Sequence, residues 1–291
     1  MRIWKAHAYG NDFLLMSAAE VEAQGHDRAA WPALARAVCA RHTGIGADGL
    51  MLFRADGAAG PDGSDATDGR DGRHGSDGVR MDLLNADGSY SELSGNGIRC
   101  LAALIVHQAR AAGGDPGVVT IHTDAGVKTL TPAGYDETTR RATFRAAMGR
   151  PERLRELTLD VAGERVRAAA LTMGNPQCIL LDQPMTEERL HKFGPALQQH
   201  PEFPDAVNVE IIQVEAPDTV RILIWERGVG PTESSGTGSC ASAVAAAAFA
   251  GAARSTEVIA PGGSQRVEWT EDGEVYLTGW AQLVLEGEWM P

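Results

Sequence analysis

An α/β (α+β) fold built from two similar halves is predicted by three observations. Apolar runs of strand length alternate with helical patterns throughout the chain. Two apolar helices are each opened by a Ser-Gly-X-Gly sequence, Ser94-Gly95-Asn96-Gly97 and Ser235-Gly236-Thr237-Gly238. A Gly-Asn pair precedes each, Gly10-Asn11 and Gly174-Asn175, by 83 positions (Asn11 to Ser94) and 60 positions (Asn175 to Ser235). The difference of 23 matches the length of an Asp/Gly-rich stretch confined to the first half, so removing it brings the halves into register.

Taken in order, Ile3 to His7, a turn at Gly10-Asn11-Asp12 and Phe13 to Met16 read as strand, turn, strand. Trp31, Leu34, Ala37 and Val38 recur at helical spacing within Ala30 to Arg41, and Leu50 to Phe53 is a buried strand. Residues 56–78 are almost entirely Asp, Gly, Ser, Ala and Arg; such a segment buries too little to offset its ordering entropy and is expected to be a mobile surface insert. Met81 to Leu84 resumes the strand pattern, Asn85-Ala86-Asp87-Gly88 is a turn, and Ile98 to Ala112 is a helix closed by Gly113-Gly114. Val118 to Thr123 and Lys128 to Thr131 are strands, and the boundary between halves is expected at Asp124-Ala125-Gly126. Val220 to Ile224 is a strand, and Ala241 to Ala250 is apolar all round, hence a buried helix.

Composition narrows the function classes. A net charge of −13 disfavours nucleic acid, which needs clustered cations. Four cysteines, at 39, 100, 178 and 240, are too sparse for a disulfide framework and lack zinc spacing, and the eight histidines contain no pair at metal-binding spacing. No metal or cofactor site is expected. The amino terminus lacks the apolar run of a signal peptide, and the longest apolar stretch is several residues short of the roughly 20 needed to cross a bilayer. A cytoplasmic protein is therefore expected. Gly44-Ile-Gly46-Ala-Asp-Gly49 matches a dinucleotide fingerprint in letters only, because a strand follows it where a helix is required.

The two Ser-Gly-X-Gly turns allow a specific chemistry. Serine is a favoured N-cap, which by itself accounts for Ser94 and Ser235. A double-glycine turn is more than a cap requires: it lets a ligand approach backbone amides that have no intrahelical partner, at the positive end of the helix dipole. Carboxylate or phosphate is the matching ligand class. Glu226-Arg227, at the end of the strand before Ser235, reads either as two surface charges or as a pair suited to a substrate ammonium and carboxylate.

Seven segments together resemble the diaminopimelate epimerase family: Gly10-Asn11-Asp12-Phe13, Asn85-Ala86-Asp87-Gly88-Ser89, Gly95-Asn96-Gly97-Ile98-Arg99-Cys100, Met173-Gly174-Asn175-Pro176, Val207-Asn208-Val209, Glu226-Arg227-Gly228 and Gly236-Thr237-Gly238. They run in order from near residue 3 to the carboxy terminus. The resemblance implies two pseudo-symmetric lobes, each a sheet wrapped around a central helix, with the active site in the cleft between them. An N-terminal lobe of 1–125 completed by 279–291 and a C-terminal lobe of 126–278 are expected. It further implies cofactor-independent inversion of an amino acid α-carbon, LL- to meso-diaminopimelate, by two bases on opposite faces. Asn11, Asn85, Asn175, Asn208, Glu226 and Arg227 fall at substrate-binding positions, and the amides of Gly95, Asn96, Gly236 and Thr237 at the carboxylate cradle. A small-molecule amino acid is the implied partner, with a homodimer as the assembly to test.

The departure from the family pattern lies at the bases. Both catalytic cysteine positions are serine, Ser94 and Ser235, and the histidine after the Gly-Asn-Pro motif is Gln177, a supporting position like Glu226. A thiol near pKa 8.5 yields thiolate at a helix end, whereas a serine hydroxyl does not, since a helix dipole supplies at most about 2 kcal/mol. Impaired inversion is therefore expected. The rival readings are an isomerase or racemase of another amino acid, and a catalytically weak binding relative.

Overall fold

A computed structural model of the chain describes residues 1–55, 78–92, 94–115 and 117–290. The expected insert lies, apart from Gly78, outside the described residues. The chain divides into two compact units, one of Met1–Ala8, Asp12–Ala142 and Ala281–Pro291, the other of Tyr9–Asn11 and Thr143–Trp280.

The first unit carries β1 (Arg2–Ala8), all but the first residue of β2 (Asn11–Ser17), α1 (Ala18–Ala23), α2 (Trp31–Cys39), β3 (Gly49–Ala55), β4 (Val79–Asn85), β5 (Tyr90–Ser91), α3 (Gly95–Ala111), β6 (Val119–Thr123) and β7 (Gly126–Asp136). Helix α2 buries Trp31, Leu34, Ala35 and Val38 on one face, against Leu14, Met16, Leu50 and Leu52 of the strands. Helix α3 is buried from Asn96 through Leu104 and packs on β1, β6 and β7, so it sits inside the unit rather than on its surface. The boundary expected at Asp124-Ala125-Gly126 is instead the tight turn of the β6–β7 hairpin: Thr123 pairs with Gly126, and Gly126 takes the positive φ that the turn needs. Ladder hydrogen bonds keep β7 with the first unit, which runs on to Ala142.

The second unit carries most of β8 (Arg141–Gly149), then β9 (Glu152–Val161), β10 (Glu164–Thr172), β11 (Pro176–Leu180), α4 (Glu187–Gln198), β12 (Asn208–Ala216), β13 (Thr219–Glu226), β14 (Gly230–Thr232), α5 (Gly236–Phe249), β15 (Ser255–Ala260) and β16 (Gly263–Trp269). The long β17 (Val275–Glu288) begins in this unit and ends in the first, where its last residues pair antiparallel with β1. Helix α5 contacts β10, β11, β12, β13, β15 and β16. Its alanines explain this: with no long side chains, a helix can be approached from every side, and Ile179, Ile212, Ile222, Ile224, Val258 and Leu277 close around it.

Pairing repeats between the units. In the first, β2 runs parallel to β3, β3 antiparallel to β4, β4 parallel to β6 and β6 antiparallel to β7. In the second, β11 runs parallel to β12, β12 antiparallel to β13, β13 parallel to β15 and β15 antiparallel to β16. The short strands β5 and β14 and the buried helices α3 and α5 occupy matching places. The 56–78 stretch falls between β3 and β4, where the second unit has only the turn from Ala216 to Thr219. The duplication read from spacing is therefore also a duplication of topology.

Candidate active site

In the first unit, Ser94 is the N-cap of α3, with extended backbone and its Oγ accepting from the Gly97 amide at 3.0 Å. This cap takes the third amide of the helix. The Gly95 amide ahead of it makes no hydrogen bond among the described residues, and a Cβ on Gly95 would meet nothing within 4 Å, so that backbone is open to a ligand. Asn96 is buried and its Oδ1 accepts from the Arg99 guanidinium one turn on. Asn85, exposed at the end of β4, donates from Nδ2 to Ser89 Oγ at 2.9 Å.

At the start of β2, half-buried Asn11 is followed by Asp12, whose carboxylate gathers Lys5 at 2.9 Å, Arg41 at 3.0 Å and the Asp48 amide at 3.0 Å. Burial alone would raise the Asp12 carboxyl, but hydrogen bonds from Arg41 and Lys5 outweigh it and hold the group below its ordinary value. This cluster ties the loop before β3 to the start of β2. Spacing did not point to it, because its members come from four separated places in the chain.

The second unit assembles a denser site. Ser235 caps α5, accepting from the Gly238 amide at 3.2 Å, while the Gly236 and Thr237 amides make no hydrogen bond among the described residues. Glu226 closes β13. Burial raises its carboxyl above the ordinary carboxylate range, and hydrogen bonding with the Ser235 hydroxyl acts, more weakly, the other way. A carboxylate base thus stands beside Ser235. Asn208 is buried; its Oδ1 accepts from the Arg227 amide at 2.8 Å and its Nδ2 donates to the Pro176 carbonyl at 3.3 Å, so it holds two loops together. Arg227 is exposed and donates from Nη1 to the Asp205 carbonyl at 3.0 Å. Gln177 is buried, one end of its amide 2.6 Å from Asn175 Oδ1 and 3.3 Å from Thr237 Oγ1.

Glu210 is the residue that sequence reasoning missed. It is wholly buried on β12, and burial, with the Glu226 charge adding, raises its carboxyl well above the ordinary value. Its two oxygens lie 3.1 and 3.2 Å from the other end of the Gln177 amide. The available signal was alternation: within an apolar strand, Glu210 shares a face with Asn208 and Ile212, and Ile212 packs on α5.

The cysteines offer no base. All four are buried; burial pushes Cys39 up to about 12 and raises Cys100 and Cys178 far above the ordinary thiol value. Among the described residues, no cluster of His, Cys, Asp and Glu has the geometry to hold a metal ion, and no helix is long and apolar enough to cross a membrane.

A repeated unit with a buried, serine-capped helix opening on glycine amides defines the class: a protein of two similar α+β units. A family model described as diaminopimelate epimerase matches residues 3–154 and 169–284. A diaminopimelate epimerase of Desulforudis audaxviator is 37% identical over 100% of this chain and 99% of its own length. That of Desulfitobacterium hafniense is 36% identical over 99% of this chain and 97% of its own. The chain belongs to the diaminopimelate epimerase family. The same fold occurs in a predicted epimerase from Pseudomonas aeruginosa, 19% identical, with a TM-score of 0.64 over 100% of this chain and 99% of that one.

Proposed function

We propose that this chain is a PLP-independent epimerase acting on the α-carbon of diaminopimelate, with Ser94 and Ser235 at the two base positions and a slow inversion step. The observation that carries the reading is the repeated helix mouth. In each unit a serine cap consumes the third amide of a buried helix, and the glycine amide ahead of it is left to receive an anion. The α-carboxylate of an amino acid is such an anion. Amides aimed at it favour the enediolate that develops when the α-proton leaves, because charge moves onto the carboxylate oxygens.

The two serines differ in what stands behind them. Glu226, with its carboxyl raised by burial, is a stronger base than an exposed carboxylate and takes a proton from or through Ser235. Among the described residues, the Gly97 amide is the hydrogen-bond partner of the Ser94 hydroxyl, and no titratable group activates it. Proton removal on the Ser235 face is therefore faster than proton delivery on the Ser94 face, and exchange outruns inversion. Asn175 and Thr237 border the α5 end and contribute to holding the substrate, together with Asn11, Asn85 and the Glu226-Arg227 pair. A cytoplasmic enzyme taking a small amino acid, assembled as a homodimer, completes the reading.

The test is to incubate each stereoisomer of diaminopimelate with the protein in deuterium oxide and follow α-deuterium and configuration together. One stereoisomer is expected to gain deuterium with retention, faster than the product of inverted configuration appears. Absence of exchange from every stereoisomer, at any enzyme concentration that saturates binding, sinks the catalytic reading in favour of a binding relative.

A further inference from the structure

Among the described residues Glu210 has no cation beside it, and it lies on the β12 face that otherwise packs the apolar surroundings of α5. A Cβ on Gly238, in the first turn of α5, would collide with Glu210 Oε1, so the carboxyl sits hard against that turn. The neighbouring polar group is the Gln177 amide, and this amide has two possible senses. With its oxygen towards Glu210, at 3.1 and 3.2 Å, a proton must lie between them; its amino group then donates to Asn175 Oδ1 at 2.6 Å and stands 3.3 Å from Asn208 Nδ2, whose own hydrogen goes to the Pro176 carbonyl. With its amino group towards an ionised Glu210, its oxygen would accept from Thr237 and from Asn208 Nδ2, each 3.3 Å away, and Asn175 would have to turn to offer Nδ2. The proton on Glu210 thus decides the direction of the whole chain of amides.

We infer that Glu210 is a positioning residue: as a neutral carboxylic acid it donates to the Gln177 oxygen, turns the Gln177 amino group onto Asn175 Oδ1, and so leaves Asn175 Nδ2 as a donor for a carboxylate of the substrate. This rests on the epimerase reading, in which Asn175 is a substrate-binding position. Burial with no cationic partner keeps the proton on, and Glu226, the charged neighbour that acts on it, reinforces this. In the ionised arrangement Asn175 would present Oδ1, an acceptor that repels a carboxylate. The Gln177 amide suits the task because it is not itself titratable; its direction is set from below.

Three measurements on the full chain test this. Infrared difference spectra of glutamate-labelled wild type against Glu210→Gln at neutral pH are expected to show a protonated-carboxyl band lost in the variant; loss of a carboxylate band instead overturns the proposal. Side-chain amide NMR is expected to show Gln177 amino protons close to Thr237; proximity to the Glu210 methylenes instead overturns it. Calorimetry with meso-diaminopimelate is expected to find Glu210→Gln within about threefold of wild type, since a carboxamide still donates to Gln177, and Glu210→Leu weakened by about tenfold or more. Wild-type affinity in Glu210→Leu overturns the positioning role. If wild type itself fails to bind, the epimerase reading falls while the spectroscopic arms still decide the state of Glu210.

Discussion

A serine hydroxyl has one proton and two lone pairs, and at Ser235 the Gly238 amide takes a lone pair while Glu226 draws on the proton. A hydroxyl thus serves this helix end as a cap, while its acidity stays far below that of a thiol. Ser94→Cys with Ser235→Cys is expected to raise the inversion rate strongly, because a thiol near pKa 8.5 ionises where a hydroxyl does not. An unchanged rate would mean these positions do not face the reacting carbon. Glu226→Gln in the wild-type background is expected to lower α-deuterium exchange by about 10²- to 10⁴-fold, the usual worth of a positioned general base. Equal exchange in variant and wild type would remove Glu226 from the mechanism. Ser235 was legible as a cap from its Gly-Thr-Gly neighbours, and Glu226 from the Glu-Arg-Gly motif. Their mutual contact was not, because it depends on the turn by which β13 and β14 lead back to α5.

The two buried helices share a design but not a tolerance. A Cβ on Gly97 would run into Met51 Cε, the end of a flexible side chain, whereas one on Gly238 would run into the boxed-in Glu210 carboxyl. Alanine gains up to about 1 kcal/mol of helix propensity over glycine at either place. Gly97→Ala is therefore expected to stay within about 1 kcal/mol of wild type in denaturant unfolding, since methionine repacks readily. Gly238→Ala is expected to lose about 2 kcal/mol or more, from overpacking and a displaced buried hydrogen bond. Equal losses would show that Glu210 has room to move. At this scale the helical pattern of α2, the glycine openings of α3 and α5 and the strand at Val220 to Ile224 were plain, because each is written in local periodicity. β8, β9 and β17 were not read: long, half-exposed ladders carry many charges, and their partners are distant in the chain.

For the molecule as a whole, its buried carboxyls give opposite pH dependences. Asp12 is held below its ordinary value, so its contribution is present above the unfolded pKa of about 3.9 and lost as pH falls through the folded value. Glu210 and Glu226 are raised, so the folded chain keeps protons that the unfolded chain has released. Their contribution is full below about pH 4.3 and lost as pH rises through the folded values, at up to about 1.4 kcal/mol per pH unit for each group. The Tm of Glu210→Gln is therefore expected to improve relative to wild type as pH rises from about 5 to 8. A constant gap across that range would show that Glu210 ionises as an ordinary carboxyl.

By itself the sequence determined the doubled plan, the two serine-capped helix mouths and the family, since spacing, glycine placement and motif order are local or additive properties. Only the tertiary structure decided which polar groups share a buried volume. The parallel pairing of β11 with β12 sets Gln177 beside Asn208, and the pleat then turns Glu210 onto the face covered by α5. Hydrogen bonds and proton affinities depend on distances of a few ångströms and on exclusion of water, and neither exists until strands remote in the chain have paired.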